Sequence, residues 1–470
     1  MLFRSPRLRP EIDAAPYRHE GRDYYILHDA SSLVPGHLVA SPLAIWLVAR
    51  LDGNASLLEL HDRLQAEAGE DAPALHEMES IVRALEEACF LEGPRFDDWR
   101  EQAARDFAAR PERAATSAGL AYPDDPAVLA QSLDAWMSEA PPDEIPESVP
   151  ANRSGDAAPS QPTRQAAASP ARQPHASPHG NQDSQNSQDS RAAHPFRAPD
   201  SLREAPVAAV APHIDYARGH AAYGQLYREL AKRRAPETVV ALGVAHGALR
   251  GAVSVCPKDF ALPGGVMKLD RERTEALAAR GRLNGHDWLR EAYAHHAEHS
   301  IELQAAWLRH IWPDTRLVPV LVSAPDEAGD APSPTKGAEW DYAREREIFA
   351  SILAEWLADP GKAMLLASVD LAHVGPGFGD TRPISEPFLE EVEEADRRFL
   401  AAIAAGGGQA AGRDIARGGN PFRLCGLGAL DMLARALSLA VPEAAGRVLG
   451  YHQAATPELG QAVTFAAMVF

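Results

Sequence analysis

Cysteine is scarce: Cys89, Cys256 and Cys425 are the only three in 470 residues. So odd and sparse a set builds no disulfide framework, and a reducing compartment is the expectation. Lysine is nearly as rare, at positions 232, 258, 268, 336 and 362 only, an arginine bias that carries no functional weight. No stretch approaches the roughly 18 continuous apolar residues that a membrane span needs. The opening MLFRSPRLRPEID lacks the apolar segment of a secretory signal. Positive charge is in deficit as well: 46 basic against 66 acidic side chains leave a net charge of −20. Such a surface repels a polyanion. The expectation is a cytoplasmic protein with neither nucleic acid nor membrane as partner.

What the chain does contain falls into two unequal parts. Between residues 141 and 200 it turns to Pro, Ala, Ser, Gln, Asn and Asp, and Phe196 is the only aromatic residue. This stretch has too little apolar area to offset its ordering entropy and is expected to be a disordered linker. Its histidines, His175, His179 and His194, are irregularly spaced and read as part of a tether.

Residues 1–96 carry helical punctuation. Ser41-Pro42 is an N-cap followed by proline at the first helical position, and LAIWLVARL then stops at Asp52-Gly53. Ser56 opens a second helix with Leu57, Leu60 and Leu64 at helical spacing, and a third carries Met78, Ile81, Val82 and Leu85 on one face. RDYYILHD alternates like a strand. Three helices with flanking strands suggest a small winged-helix-like module. Through residue 100 it holds 10 Arg, no Lys and 18 acidic residues, a net of −8 that is the wrong sign for reading DNA. The pattern of LDG, a helix and a long helix closing on a Leu-x-Gly turn resembles peptide-chaperone domains of the PqqD type, which implies docking of a peptide client. Residues 97–140 read as a helical extension without legible chemistry.

Residues 201–470 alternate strand and helix: VAAVAP, TVVALGVA, RLVPVLVS and AMLLASVDL are strands separated by helices, and RVLGYH and AVTFAAMVF close the chain. These strands are continuous apolar runs, as expected when both sheet faces are covered. The fold class is therefore α/β, a layered domain with a mostly parallel or mixed sheet flanked by helices.

Polar residues stand just past the strand ends. His213 and Asp215 follow the first strand, His246 the second, and Asp370 and His373 the AMLLASV strand. Open α/β sheets bind ligands outside these carboxyl ends. Cys425 immediately precedes a helix, where unpaired N–H groups stabilise a thiolate suited to a metal or a nucleophilic mechanism; it reads equally as a small buried hydrophobe. Cys89 and Cys256 read as core. In HHAEHSIELQ, the pairs His295–His299 and Glu298–Glu302 share a helix face if the helix reaches that far. Glu298 and His299 are then either a solvated helix start or acid–base groups at the crevice mouth.

Five segments in order, APHIDYARGHAAYGQLY, LGVAH, EHSIELQ, SVDLAHVG and CGLGA, resemble the MEMO family, whose bacterial and archaeal members are called AmmeMemoRadiSam system protein B. The resemblance covers about residues 205–470. It implies a fold like that of the LigB-type class III extradiol dioxygenases, which hold non-haem iron. It further implies His213, His246 and Cys425 as metal ligands, with Asp370 and His373 beside them and Glu298 and His299 matching the EHS motif. The chain departs from the family at 214–220 (Ile-Asp-Tyr-Ala-Arg-Gly-His), at Ala245 and at Val369, which alters the pocket wall.

Two imidazoles and a thiolate leave open coordination positions. The expected cofactor is iron(II), with copper or zinc as alternatives. The function expected is a mononuclear, redox-active, dioxygenase-like oxidoreductase acting on a small or peptide-borne substrate. In it His373 serves as general acid/base, and Asp370 orients a ligand, shares a proton, or supplies an oxygen ligand in place of Cys425. The alternatives are a peptide-binding crevice without catalysis and a zinc hydrolase using a metal-bound water. The system name implies a radical S-adenosylmethionine protein and an AMMECR-type protein as partners.

Overall fold

The computed structural model describes residues 5–19, 21–29, 34–68, 72–143, 204–247, 249, 251–324 and 342–470. The expected linker, from residue 144 onward, lies outside them. The described residues on the two sides of the linker form one compact unit.

The chain begins with three antiparallel strands, β1 (Ile12–His19), β2 (Arg22–Asp29) and β3 (His37–Ala40), in sequential order. Helices α1 (Pro42–Val48), α2 (Leu57–Ala68) and α3 (Leu75–Glu87) follow. Ser41 caps α1 through Ala44 N at 3.3 Å. Ser56 and Glu59 form a reciprocal box at the start of α2: Ser56 N donates to Glu59 Oε2 (2.7 Å) and Glu59 N to Ser56 Oγ (3.3 Å). Leu27, Leu47, Leu60, Met78, Val82 and Phe90 fill the core between sheet and helices.

Residues 94–143 run on as α4 (Pro94–Ala109), the two-residue strand β4 (Glu112–Arg113) and α5 (Pro126–Glu139). They lie against the α/β domain. Trp136 packs its ring 5.6 Å from Tyr216 and 6.3 Å from Trp307, and Arg447 donates to Asp143 at 2.8 Å.

The large sheet has a parallel centre in the order β5 (Ala208–Ala211), β11 (Ala363–Ser368), β6 (Thr238–Val244), β10 (Arg316–Val322). Antiparallel strands flank it: β7 (Val253–Val255) on β10, and on the other side β14 (Gln461–Val469), which also pairs β12 (His373–Val374) and β13 (Arg447–Thr456). The sheet is thus mixed. Every residue of β5, β6 and β11 is buried, which explains their unbroken apolar sequences.

Helices cover both faces. Along β6, Val240, Leu242 and Val244 join the core with α9 (Tyr342–Leu357) and α12 (Leu427–Ala440), while Gly243 turns the other way, against α8 (His299–Ile311). A Cβ on Gly243 would stand 2.5 Å from Ser300 Oγ, so glycine is what lets α8 approach the strand. Helix α6 (Tyr216–Leu230) packs on β13 and β14. The remaining helices are α7 (Arg271–Leu283), α10 (Glu386–Ala404) and α11 (Gly408–Arg417). A small sheet, β4-β8-β9, joins the extension to β8 (Asp259–Leu262) and β9 (Gly265–Met267). Its strands, of two to four residues, are too short to carry a periodic signature in the sequence. Among the described residues no helix is long and apolar enough to cross a membrane.

Candidate metal centre

The first three predicted residues meet. His213 leaves the end of β5, His246 the end of β6, and Cys425 the turn before α12; their donor atoms lie within 4.8 Å of one another. His213 Nε2 stands 3.4 Å from Cys425 Sγ.

Each imidazole is oriented from behind. His213 Nδ1 lies 3.0 Å from Ser368 O at the end of β11, which turns Nε2 towards the thiol. His246 Nδ1 lies 2.9 Å from Glu298 Oε2. Asp370 holds the loop that carries His213, its Oδ1 accepting from His213 N (2.8 Å) and Ile214 N (3.2 Å). Cys425 is brought in by its neighbour. A Cβ on Gly426 would stand 2.5 Å from Val369 Cβ and 3.0 Å from Asp370 O, so the Cys-Gly pair is what permits the turn to close on that loop.

The electrostatics favour separated charge. Burial pushes the Cys425 thiol up, but the nearby His213, with hydrogen bonds from His213 and His246, outweighs it and brings the group down to about 5. Desolvation likewise opposes charge on His213, while Asp370 and Cys425 raise it to about 9. The thiolate is stabilised by imidazoles, with the helix N-terminus two residues further on. Glu298, despite burial, is held well below the usual carboxylate range by His246.

Glu298 and His299 also lie here, in roles the sequence left open. Helix α8 begins only at His299, and Glu298 is its N-cap, accepting from Ser300 N at 2.9 Å. His295 therefore sits in a separate 3-10 turn, its Nε2 3.2 Å from Ser254 O, and does not share a helix face with His299. The half-buried His299 ring stacks 4.9 Å from His246 and stands 5.3 Å from His213. Burial chiefly, with the two other imidazoles, lowers it to about 4. His373, on β12, points Nδ1 at Leu371 O (3.2 Å) and packs 5.3 Å from Phe378. Cys256 is fully buried and pushed up to about 12 by that burial, and Cys89 is buried in the first module.

The donor set fits a metal ion. Ligands at about 2.1 Å (nitrogen) and 2.3 Å (sulfur) from one tetrahedral ion stand roughly 3.6 Å apart, close to the His213–Cys425 separation of 3.4 Å. Both imidazoles also have the rear partners that metal-binding histidines use.

Sequence reasoning missed Ser368, which orients His213, and the extension, where Arg113 and Tyr122 meet Glu302 of α8. A lone arginine between two helices carried no signal.

Comparison with known proteins identifies the family of the α/β domain. Residues 191–469 match the model of the Memo-like protein family. A MEMO1 family protein of Aquifex aeolicus is 24% identical over 400 residues, covering 84% of this chain and 82% of its own. One from Thermus thermophilus, TTHA0924, is 32% identical over 240 residues, 51% of this chain and 64% of its own. A third, from Ignicoccus hospitalis, is 29% identical over 230 residues, 44% and 78% of the two chains. With more than half its length inside the family model and its motif residues gathered at the strand ends, this chain belongs to the Memo-like family.

Proposed function

We propose that the protein is a mononuclear metal-dependent oxidoreductase acting on a small or peptide-borne substrate, with His213, His246 and Cys425 binding iron(II), and copper as the competing ion. The observation that carries the proposal is the thiolate-forming Cys425 held 3.4 Å from the Nε2 of a rear-anchored His213. A sulfur ligand turns preference away from magnesium and calcium and towards iron, copper or zinc. The bound ion would supply redox chemistry and open coordination positions for substrate.

The chain's own groups do the rest. Ser368 O and Glu298 fix the imidazole orientations, and Asp370 clamps the loop beneath them. His299, neutral near pH 7 and partly open at the mouth, is the group able to accept a substrate proton. His373, on β12, is the other imidazole available for that role. Partners in this reading are a radical S-adenosylmethionine protein and an AMMECR-type protein, and the first module docks a peptide client.

Elemental analysis of anaerobically purified protein tests it. One iron or copper per chain, absent from Cys425→Ser, is expected. Zinc without oxygen consumption would replace it with a hydrolase. Metal-free protein that keeps its partner after His213→Ala and His246→Ala would make the crevice a binding surface.

A further inference from the structure

The sequence left residues 97–140 without chemistry, yet one side chain from that stretch reaches the wall of the metal centre. Arg113 is fully buried and all five of its N–H donors are used. Nε donates to His295 O at 3.0 Å and one Nη2 hydrogen to Glu298 O at 2.8 Å. The other Nη2 hydrogen goes to Thr116 Oγ1 at 3.1 Å. Nη1 donates to Ala114 O (2.7 Å) and to Glu302 Oε2, one turn into α8. The guanidinium therefore spans the whole 295–298 turn and the first turn of the helix that follows.

Glu302 is equally committed to the extension. Its carboxylate, with a fully buried side chain, also accepts from Thr116 N (3.1 Å), Ser117 N (2.9 Å) and Tyr122 OH (2.6 Å). All these donors come from residues 113–122. What the clamp fixes is the direction of Glu298, whose Oε2 holds His246 Nδ1 at 2.9 Å. Without it, the backbone at Glu298 would lose the anchor on its carbonyl and the capping carboxylate could swing from the imidazole.

We infer that Arg113 is a positioning residue of the metal centre: acting through Glu298, it sets the orientation of His246, so that the segment before the linker is part of the site. This rests on the metal-binding reading above. A partner that orients a metal-binding histidine typically changes affinity by about 10–100-fold; Arg113, one bond further back, is expected to contribute about tenfold.

The test uses full-length protein and cobalt(II), whose thiolate charge-transfer absorption reports on Cys425. Wild-type protein that shows no such band and no binding sinks the metal reading itself, whatever Arg113 does. Given wild-type binding, Arg113→Lys keeps the charge opposite Glu302 but cannot span two carbonyls, and is expected to weaken cobalt about tenfold with a folded far-ultraviolet spectrum. Arg113→Met/Glu302→Gln removes both charges, which avoids a stranded buried ion, and is expected to lose as much. The effect should vanish in a Glu298→Gln background, because a residue acting through another is non-additive with it. Unchanged affinity in Arg113→Lys, or a loss that simply adds to that of Glu298→Gln, overturns the proposal.

Discussion

His295 and His299 are four residues apart and of one type, yet their surroundings give them different tasks. His299 opens α8 beside the imidazoles of His213 and His246. His295 is buried behind it, and burial is the chief reason its imidazole is lowered to about 3. Ser254 O opposes that shift and the Arg113 charge reinforces it. A depressed imidazole stays neutral in the folded chain while the unfolded chain protonates near pH 6.5. Its contribution is therefore complete above about pH 6.5 and is lost as pH falls towards 3. At about 1.4 kcal/mol per unit, the loss between pH 6.5 and 4.5 is on the order of 2–3 kcal/mol. Urea midpoints measured across this range should fall more steeply for wild type than for His295→Gln, whose neutral amide cannot titrate. Equal slopes would show that the residue does not stay neutral inside the fold.

At the scale of elements, the ends of strands and helices decide the site, and they differ in how far sequence reveals them. The four parallel strands were legible because burial on both faces leaves uninterrupted apolar runs such as TVVALGV. The residues just beyond them, His213, His246 and Asp370, could be found because a parallel sheet presents its carboxyl ends together. The start of α8 was not. EHS reads as helix from its charges, but Glu298 spends one oxygen capping Ser300 N and the other on His246, so the helix begins one residue later. Strands β8, β9 and β12, of two to four residues, are too short to leave a periodicity to read; β8 and β12 pair with strands far along the chain, while β9 turns straight back on β8. The double duty of Glu298 makes separable predictions. Glu298→Ala should cost about 1 kcal/mol for the lost cap and, independently, weaken metal binding about 10–100-fold through the freed imidazole. Glu298→Ser restores a cap but cannot reach His246. Its denaturation midpoint should return towards wild type while its metal affinity remains low. Recovery of both together would mean that His246 is oriented by something else.

For the molecule as a whole, the boundary written in composition is not the boundary of packing. The Pro/Ala/Ser-rich stretch invites a cut near residue 200, but the extension before it is seated on the domain after it. Helix α5 lies on α6, where a Cβ on Gly224 would collide with Trp136 O, and Tyr216 N donates to Ala121 O at 3.0 Å. Removing residues 1–200 would bare Tyr216 and Trp307, which Trp136 covers, and leave Glu302 as a buried carboxylate without its five donors. An uncompensated buried charge alone costs several kcal/mol, comparable with the stability of a domain. A chain of residues 201–470 is thus expected to aggregate or to bind the dye ANS as a loosened globule. Replacing 146–196 by a Gly/Ser tether of about 20 residues should have the opposite outcome, because loop-closure entropy changes by less than about 1 kcal/mol on such shortening. Thermal melts of the two variants, side by side with the full chain, decide between the boundaries. A fully cooperative melt of 201–470 at the wild-type temperature would return residues 94–143 to the status of an accessory, whereas its loss beside an intact tether variant makes them an integral part of the α/β domain.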